Sequence, residues 1–231
     1  MQDPNMTRPE GPVNAVPPVI VVIFIAIIGI EGIFSLANAG LVGGPQSVGW
    51  RLAALQDYGF FPAYLDFMLQ TGQFPLDGLM RFVTYPFVNG AFTQAVIAGV
   101  MLLALGKFVG EAMRPVGLAV LFFASSIVGA LVFGLIAPPQ QALFGAFPAV
   151  YGFIGAYSYM LWIFYRVAGE RQIAAFRLIG LLMGIQLLFA IFFDVGLTWV
   201  AELVGFAAGF ALAPLLLPGG LARLRAKLQR R

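Results

Sequence analysis

Two carboxylates and three serines are the residues of this chain whose types and placement could support chemistry inside apolar sequence. Glu31 and Glu202 each interrupt a long apolar run, and Ser125, Ser126 and Ser158 lie within others. A carboxylate can act as a general acid or base, and a serine can act as a nucleophile once a neighbouring base activates it. The chain contains no histidine and no cysteine, which excludes Ser–His catalysis, thiol nucleophiles and thiolate metal sites. We therefore expect no enzyme activity, no metal site and no cofactor.

The composition of the whole chain indicates a membrane protein. Of its 231 residues, 61% are hydrophobic and 10% are charged, whereas soluble domains have about 45–50% and about 25%. The mean hydropathy is +0.93. The net charge of +3 does not indicate a nucleic-acid partner, because the basic residues lie mainly between and after the apolar runs, as membrane topology requires.

Six apolar stretches are long enough to predict transmembrane helices, which need about 20 residues each. We place them in a single domain whose core runs from residue 17 to 217, between a short tail at 1–16 and a basic tail at 218–231. The predicted fold is an all-α polytopic bundle of six helices. Their approximate ranges are 17–37, 82–105, 116–136, 148–165, 178–193 and 197–217.

The segment between the first and second stretches has a different character from the spans. It is rich in aromatic residues, glycine and proline, and it carries both acidic and basic side chains. Such amphipathic sequence predicts a membrane-embedded first loop, folded as a hairpin in one leaflet. Within it, Trp50 is expected at the depth of the lipid headgroups and Arg51 is expected to bind loop carbonyl groups.

The distribution of basic residues predicts the orientation of the chain. If the N-terminus is cytoplasmic, all of the 13 lysines and arginines except Arg51 and Arg81 lie on the cytoplasmic side. Basic residues favour that side, so we expect both termini in the cytoplasm. The basic tail is interpreted as an anchor on the anionic lipid surface.

Small residues recur with helical spacing in the fourth and sixth stretches. This pattern lets two helix backbones approach closely and predicts a tightly packed pair. The residues are Gly145, Ala149, Gly152 and Ala156 in the fourth stretch, and Gly205 and Gly209 in the sixth.

The order of these pieces resembles the rhomboid family of intramembrane serine proteases. The loop carries Trp50-Arg51, where the family has a Trp-Arg pair. The second stretch begins with TYPFVNGAFTQ (84–94), similar to the family's run toward a histidine. The fourth has GAFPAVYG (145–152) against the family's GASGAxxG, and the sixth has AELVGFAAG (201–209) against AHxxGxxxG. The resemblance implies a six-helix fold spanning roughly residues 50–217.

Every position that would be catalytic in the family is altered here. Phe147 stands in place of the nucleophile and Pro148 in place of the following glycine. Glu202 replaces the histidine base, and Gln94 and Ala98 replace the oxyanion-side histidine and asparagine. Phenylalanine has no nucleophilic atom and proline has no N–H to donate. The resemblance therefore implies a catalytically inactive pseudoprotease.

Inactive members of the family typically hold transmembrane helices, so the resemblance implies transmembrane partner proteins, with lipids around them. The chain would serve as an accessory subunit of a membrane complex or as a client adaptor, and its small size suggests a bacterial inner membrane. One alternative is a small transporter or channel. Another is an intramembrane protease whose catalytic groups lie at other positions, for instance the acid pair Asp194 and Glu202.

The sequence leaves two interpretations of Glu202 open and favours one for Glu31. Glu202 either stabilises the core, as a protonated carboxylic acid or by bonding to Gln94 or a tyrosine, or faces a partner or a water-filled cavity. Glu31 is expected to bond to the first loop.

Overall fold

The computed structural model describes residues 15–44, 47, 49–192 and 196–218, without the side chains of 187 and 189–192. Within this part of the chain the secondary structure is helical, apart from one antiparallel bridge between Phe60 and Leu143. The α-helices are α1 (Pro18–Asn38), α2 (Trp50–Tyr58), α3 (Pro62–Thr71), α4 (Leu76–Thr84), α5 (Phe92–Gly110), α6 (Pro115–Ile136), α7 (Phe147–Ala168), α8 (Arg177–Phe192) and α9 (Thr198–Leu216). Short 3₁₀ turns occupy Tyr85–Phe87 and Gln172–Phe176.

Proline and glycine set several of the helix boundaries. Pro18, Pro62, Pro115 and Pro148 lie in the first turn of their helices, where the missing N–H would have no intrahelical acceptor. Helix α7 ends at Gly169, whose φ of 73° is left-handed and costs glycine little. With the exception of the second span, the long helices begin and end within a few residues of the positions expected from the sequence.

Among the residues that the structure describes, five helices are long and apolar enough to cross a membrane: α1, α5, α6, α7 and α9. The predicted all-α polytopic bundle is confirmed. Helix α8 occupies the fifth predicted stretch and has 16 residues. The predicted start of the second span at Phe82 is wrong, because Phe82 belongs to α4 and α5 begins ten residues later at Phe92. Pro86 and the Asn89-Gly90 pair interrupt the apolar run before that point.

The first loop folds as three short helices rather than as a simple hairpin. Helices α3 and α4 pack on α6 and share with it a cluster of buried side chains. The cluster comprises Phe60, Leu65, Met68, Phe82, Tyr85, Ala130, Phe133, Ala137, Leu143 and Ala201. Tyr85 donates a hydrogen bond to the carbonyl oxygen of Ser126 at 2.8 Å, which fixes the end of the loop to α6.

Helix α7 lies at the centre of the bundle. Its residues from Pro148 to Ala156 are all buried, and it packs against α5, α6 and most extensively against α9. The N-termini of α5, α7 and α9 meet at one end of the bundle, where Gln94, Phe147 and Glu202 line a common cavity. This arrangement positions the candidate site.

Candidate functional site

A cavity of about 260 Å³ lies where the first turns of α5, α7 and α9 meet. The structure brings together there three of the positions singled out in the sequence: Gln94, Phe147 and Glu202. The loop that precedes α7 contributes apolar side chains to the wall of this cavity. The lining residues are Gln94, Ala142, Leu143, Phe144, Phe147, Pro148, Thr198 and Glu202.

Close contact between α7 and α9 holds this cavity in shape. A Cβ added to Gly205 would lie 2.9 Å from the carbonyl carbon of Pro148, and one added to Gly209 would overlap the carbonyl oxygen of Gly152. Gly155 is equally close to the backbone of Phe206. The prediction that Gly152, Gly205 and Gly209 allow close helix approach is thus confirmed.

Gly145 does not belong to that helix face, contrary to the prediction. It precedes α7 and has a φ of 88°, a left-handed conformation that glycine adopts readily. Its N–H donates to the carbonyl oxygen of Tyr85 at 2.9 Å. The side chains of Asn89 and Gln94 occupy the space that a Cβ on Gly145 would need, so Gly145 turns the chain beside the cavity.

Glu202 is only 8% exposed and lies beside two neutral side chains. Gln186 of α8 donates its side-chain N–H to Oε2 of Glu202, and Tyr151 of α7 lies next to the carboxyl group. The expected tyrosine is therefore present beside Glu202. The expected Gln94 bond is not, because Gln94 accepts from the N–H of Gly90 at 3.0 Å and faces the carbonyl oxygen of Phe144 at 3.5 Å.

Sequence reasoning did not identify Gln186. The available signal was a polar residue in the middle of the apolar run 178–193, since such a side chain needs a hydrogen-bond partner inside a membrane protein. Asp194, the other acid considered, lies outside the described residues.

The cavity contains no nucleophile opposite the acid at the expected place. Phe147 and Pro148 present a ring and a tertiary amide nitrogen there. Ser125, Ser126 and Ser158 are buried in α6 and α7 and do not line the cavity. Thr198, one turn before Glu202, provides the hydroxyl group of the lining. Ala98 is fully buried in the core, one turn after Gln94.

Arg51 does not bind loop carbonyl groups as predicted. It forms an ion pair with Glu31 of α1, as expected for Glu31, and Ser35 lies 3.5 Å from the same guanidinium group. Trp50 is partly exposed and its ring lies over Gly43. The ion pair between Arg51 and Glu31 therefore joins α2 to α1, the first transmembrane helix.

Arg81 has the role that was assigned to Arg51. Its guanidinium group donates to the carbonyl oxygens of Gln56 at 2.6 Å and Gly59 at 2.9 Å, and lies 4.1 Å from the centre of the Tyr64 ring. One indication of this role was present in the sequence. Asp77 and Arg81 are four residues apart, a spacing typical of an ion pair on one face of a helix.

Comparison with known proteins agrees with this architecture. The family model of the Rhomboid domain matches residues 77–219, which is more than half of the chain and includes Arg81, the cavity and the α7–α9 contact. Trp50 and Arg51 lie outside the matched residues. Curated proteins gave no match. The chain is a multi-pass membrane protein that belongs to the rhomboid family.

Proposed function

We propose that this chain is a catalytically inactive member of the rhomboid family that binds transmembrane partner proteins. The observation that carries the proposal is the cavity itself. It has the family's place between α5, α7 and α9, yet Phe147 and Glu202 stand where the resemblance assigns the nucleophile and its base. A ring and a carboxyl group cannot form the nucleophile–base pair that acyl transfer requires.

The outward face of α8 supports a binding function. A Cβ added to Gly180 or Gly184 would meet nothing within 4 Å, so this small-residue face has room for another backbone. Leu181, Ile185 and Leu188 on the same helix are exposed. In a membrane, small residues spaced four apart allow a second helix to pack closely. We propose that a partner helix approaches along this face.

The role is that of an accessory subunit of a larger membrane complex or of a client adaptor. We further propose a bacterial inner membrane with both termini in the cytoplasm, because the basic residues concentrate on the side of the termini. The nearest alternative, a small transporter or channel, predicts flux of a solute through liposomes that contain the purified protein.

Site-specific photocrosslinking in native membranes tests the proposal. A photoreactive amino acid at Leu181 on the exposed face of α8 should give discrete protein adducts, which mass spectrometry identifies as transmembrane proteins. The matched control is the same amino acid at Val120 on α6, another exposed position, which should give mainly lipid adducts. Equal adducts at both positions, or lipid adducts alone, would contradict the proposal.

A second measurement addresses catalysis. Purified protein should remain unlabelled by a serine-directed fluorophosphonate and should not cleave a transmembrane reporter. Labelling that disappears in a Ser125→Ala or Ser158→Ala variant would show a displaced nucleophile and overturn the proposed inactivity.

A further inference from the structure

The lining of the cavity combines polar and apolar side chains. Gln94, Thr198 and Glu202 form its polar wall, and its apolar wall consists of Ala142, Leu143, Phe144, Phe147 and Pro148. A volume of about 260 Å³ has room for several water molecules, and therefore for the end of a long side chain. A ligand that fits both walls has an apolar stem and a polar end.

Glu202 brings an acidic group to this wall without a basic neighbour among the described residues. Its neighbours Gln186 and Tyr151 are both neutral. The basic residues of the loop region are engaged elsewhere: Arg51 pairs with Glu31, and Arg81 binds carbonyl oxygens of α2 and the turn that follows it. Because a buried carboxylate is costly unless it is paired, a cation in the cavity would supply Glu202 with the counter-charge that its neutral neighbours lack.

Two further buried side chains, behind the lining of the cavity, have polar atoms without a partner. They are Gln186, the residue bound to Glu202, with its Oε1, and Asn89, with both atoms of its amide. Asn89 lies beside Gly145, next to Gln94. Ammonium and guanidinium groups carry only donors, so their acceptor in the lining is the carboxyl group of Glu202, whereas the free N–H groups of Asn89 need an acceptor.

We propose that this cavity binds the ammonium or guanidinium group of a lysine or arginine near the outer end of a partner's transmembrane helix, with Glu202 as the counter-charge. This inference rests on the proposed function, since the cation arrives on the partner. The aliphatic stem of the lysine or arginine lies along Phe147 and Phe144, as such stems do on apolar surfaces. The partner is thereby selected by one basic residue at a defined depth.

Binding of synthetic transmembrane peptides tests this selection. Three leucine-rich peptides carry lysine, glutamine or leucine at the depth of Glu202, and their association with the reconstituted full-length protein is followed by energy transfer to a dye on one introduced cysteine. We expect the lysine peptide to bind about tenfold more tightly than the leucine peptide. In the isosteric Glu202→Gln variant the two should bind equally within about twofold.

The controls separate folding from binding. Glu202→Gln keeps an acceptor for Gln186, so its thermal unfolding midpoint should remain near that of the unaltered chain. Glu202→Asp keeps the charge and should keep a preference for lysine. Equal binding of the lysine and glutamine peptides by the unaltered protein, or a lysine preference that survives in Glu202→Gln, would overturn the inference. If the peptides bind without a lysine preference, the proposed function stands and only this inference fails, whereas lack of binding by every peptide and by native partners removes both.

Discussion

Glu31 on α1 and Arg51 on α2 form an ion pair that joins the first transmembrane helix to the first loop. Glu31 is 1% exposed and Arg51 is 18% exposed at the side chain, so the pair is largely removed from solvent. Ser35, one turn after Glu31, donates a hydrogen bond to the same carboxylate at 3.1 Å. This buried ion pair therefore joins α2 to α1, in addition to the contacts of α2 with Arg81.

Removal of either partner should destabilise the protein more than removal of both. We expect Glu31→Gln or Arg51→Leu to lower the free energy of unfolding in detergent by about 3 kcal/mol, because each leaves a buried charge unpaired. The double variant should lose less than the sum of the two. Asp57→Asn on the exposed side of α2 is the control and should change the stability by less than about 0.5 kcal/mol. Additive losses would show that the two side chains act independently.

The contact between α7 and α9 predicts which glycines tolerate a methyl group. Gly209→Ala places a Cβ against the carbonyl group and α-carbon of Gly152, and should destabilise the protein by about 1–3 kcal/mol through overpacking. Gly184→Ala on α8 has open space and should be neutral or slightly stabilising, because alanine favours helix over glycine. Thermal unfolding in one detergent compares the two variants. Equal losses would indicate that the α7–α9 distance is larger than described.

Arg81 should be sensitive even to a conservative change. Arg81→Lys keeps the charge but cannot reach both the Gln56 and Gly59 carbonyl oxygens in the same planar geometry. We expect faster amide hydrogen exchange in α2 and α3 and a loss of about 1–2 kcal/mol in stability. Asp77→Asn is the matched control, because Asp77 is exposed and its contact with Arg81 is 3.4 Å long. Exchange rates that respond equally to both changes would assign the effect to charge rather than to the carbonyl contacts.

The sequence was sufficient to predict the long helices, but not the three short helices of the first loop or all of the contacts between elements. The apolar runs and their prolines predict the long helices, because crossing a membrane fixes helix length. The small-residue spacing of Gly152, Gly205 and Gly209 predicts the closest helix pair. A helix that is apolar all round, such as α5, gives no such signal, since periodicity does not distinguish the lipid-facing side from the buried side.

The partners of the charged and polar residues depend on how the helices are rotated and offset. Glu31 has Arg51 and Arg81 as possible basic partners in sequence, and only the fold decides between them. Gln186 and Glu202 lie on different helices, so their contact depends on how α8 and α9 sit relative to each other. The misplaced start of α5 has a local cause, because the end of α4, a 3₁₀ turn and α5 follow one another closely and only Pro86 and Asn89-Gly90 separate their apolar residues.

Restoring a nucleophile and a base tests how far the family's site geometry is kept. Phe147→Ser alone should remain unlabelled by a fluorophosphonate, because no imidazole is present to activate the hydroxyl. Phe147→Ser with Glu202→His places both groups on the walls of one cavity and should give measurable labelling. Adding Pro148→Gly supplies a backbone N–H at the start of α7 and should raise the labelling rate by about tenfold or more, if that N–H contributes to an oxyanion site.

The same labelling experiment contains its own controls. Glu202→His alone has no serine at position 147 and should remain unlabelled, which excludes reaction at the buried serines of α6 and α7. Unfolding midpoints of all variants establish that they are folded. A folded triple variant without labelling would mean that positions 147 and 202 do not face each other at reacting distance, and that this chain has lost the geometry of the site as well as its residues. Labelling would instead show that the fold keeps the geometry of the site, and that the residues at positions 147, 148 and 202 account for the proposed inactivity.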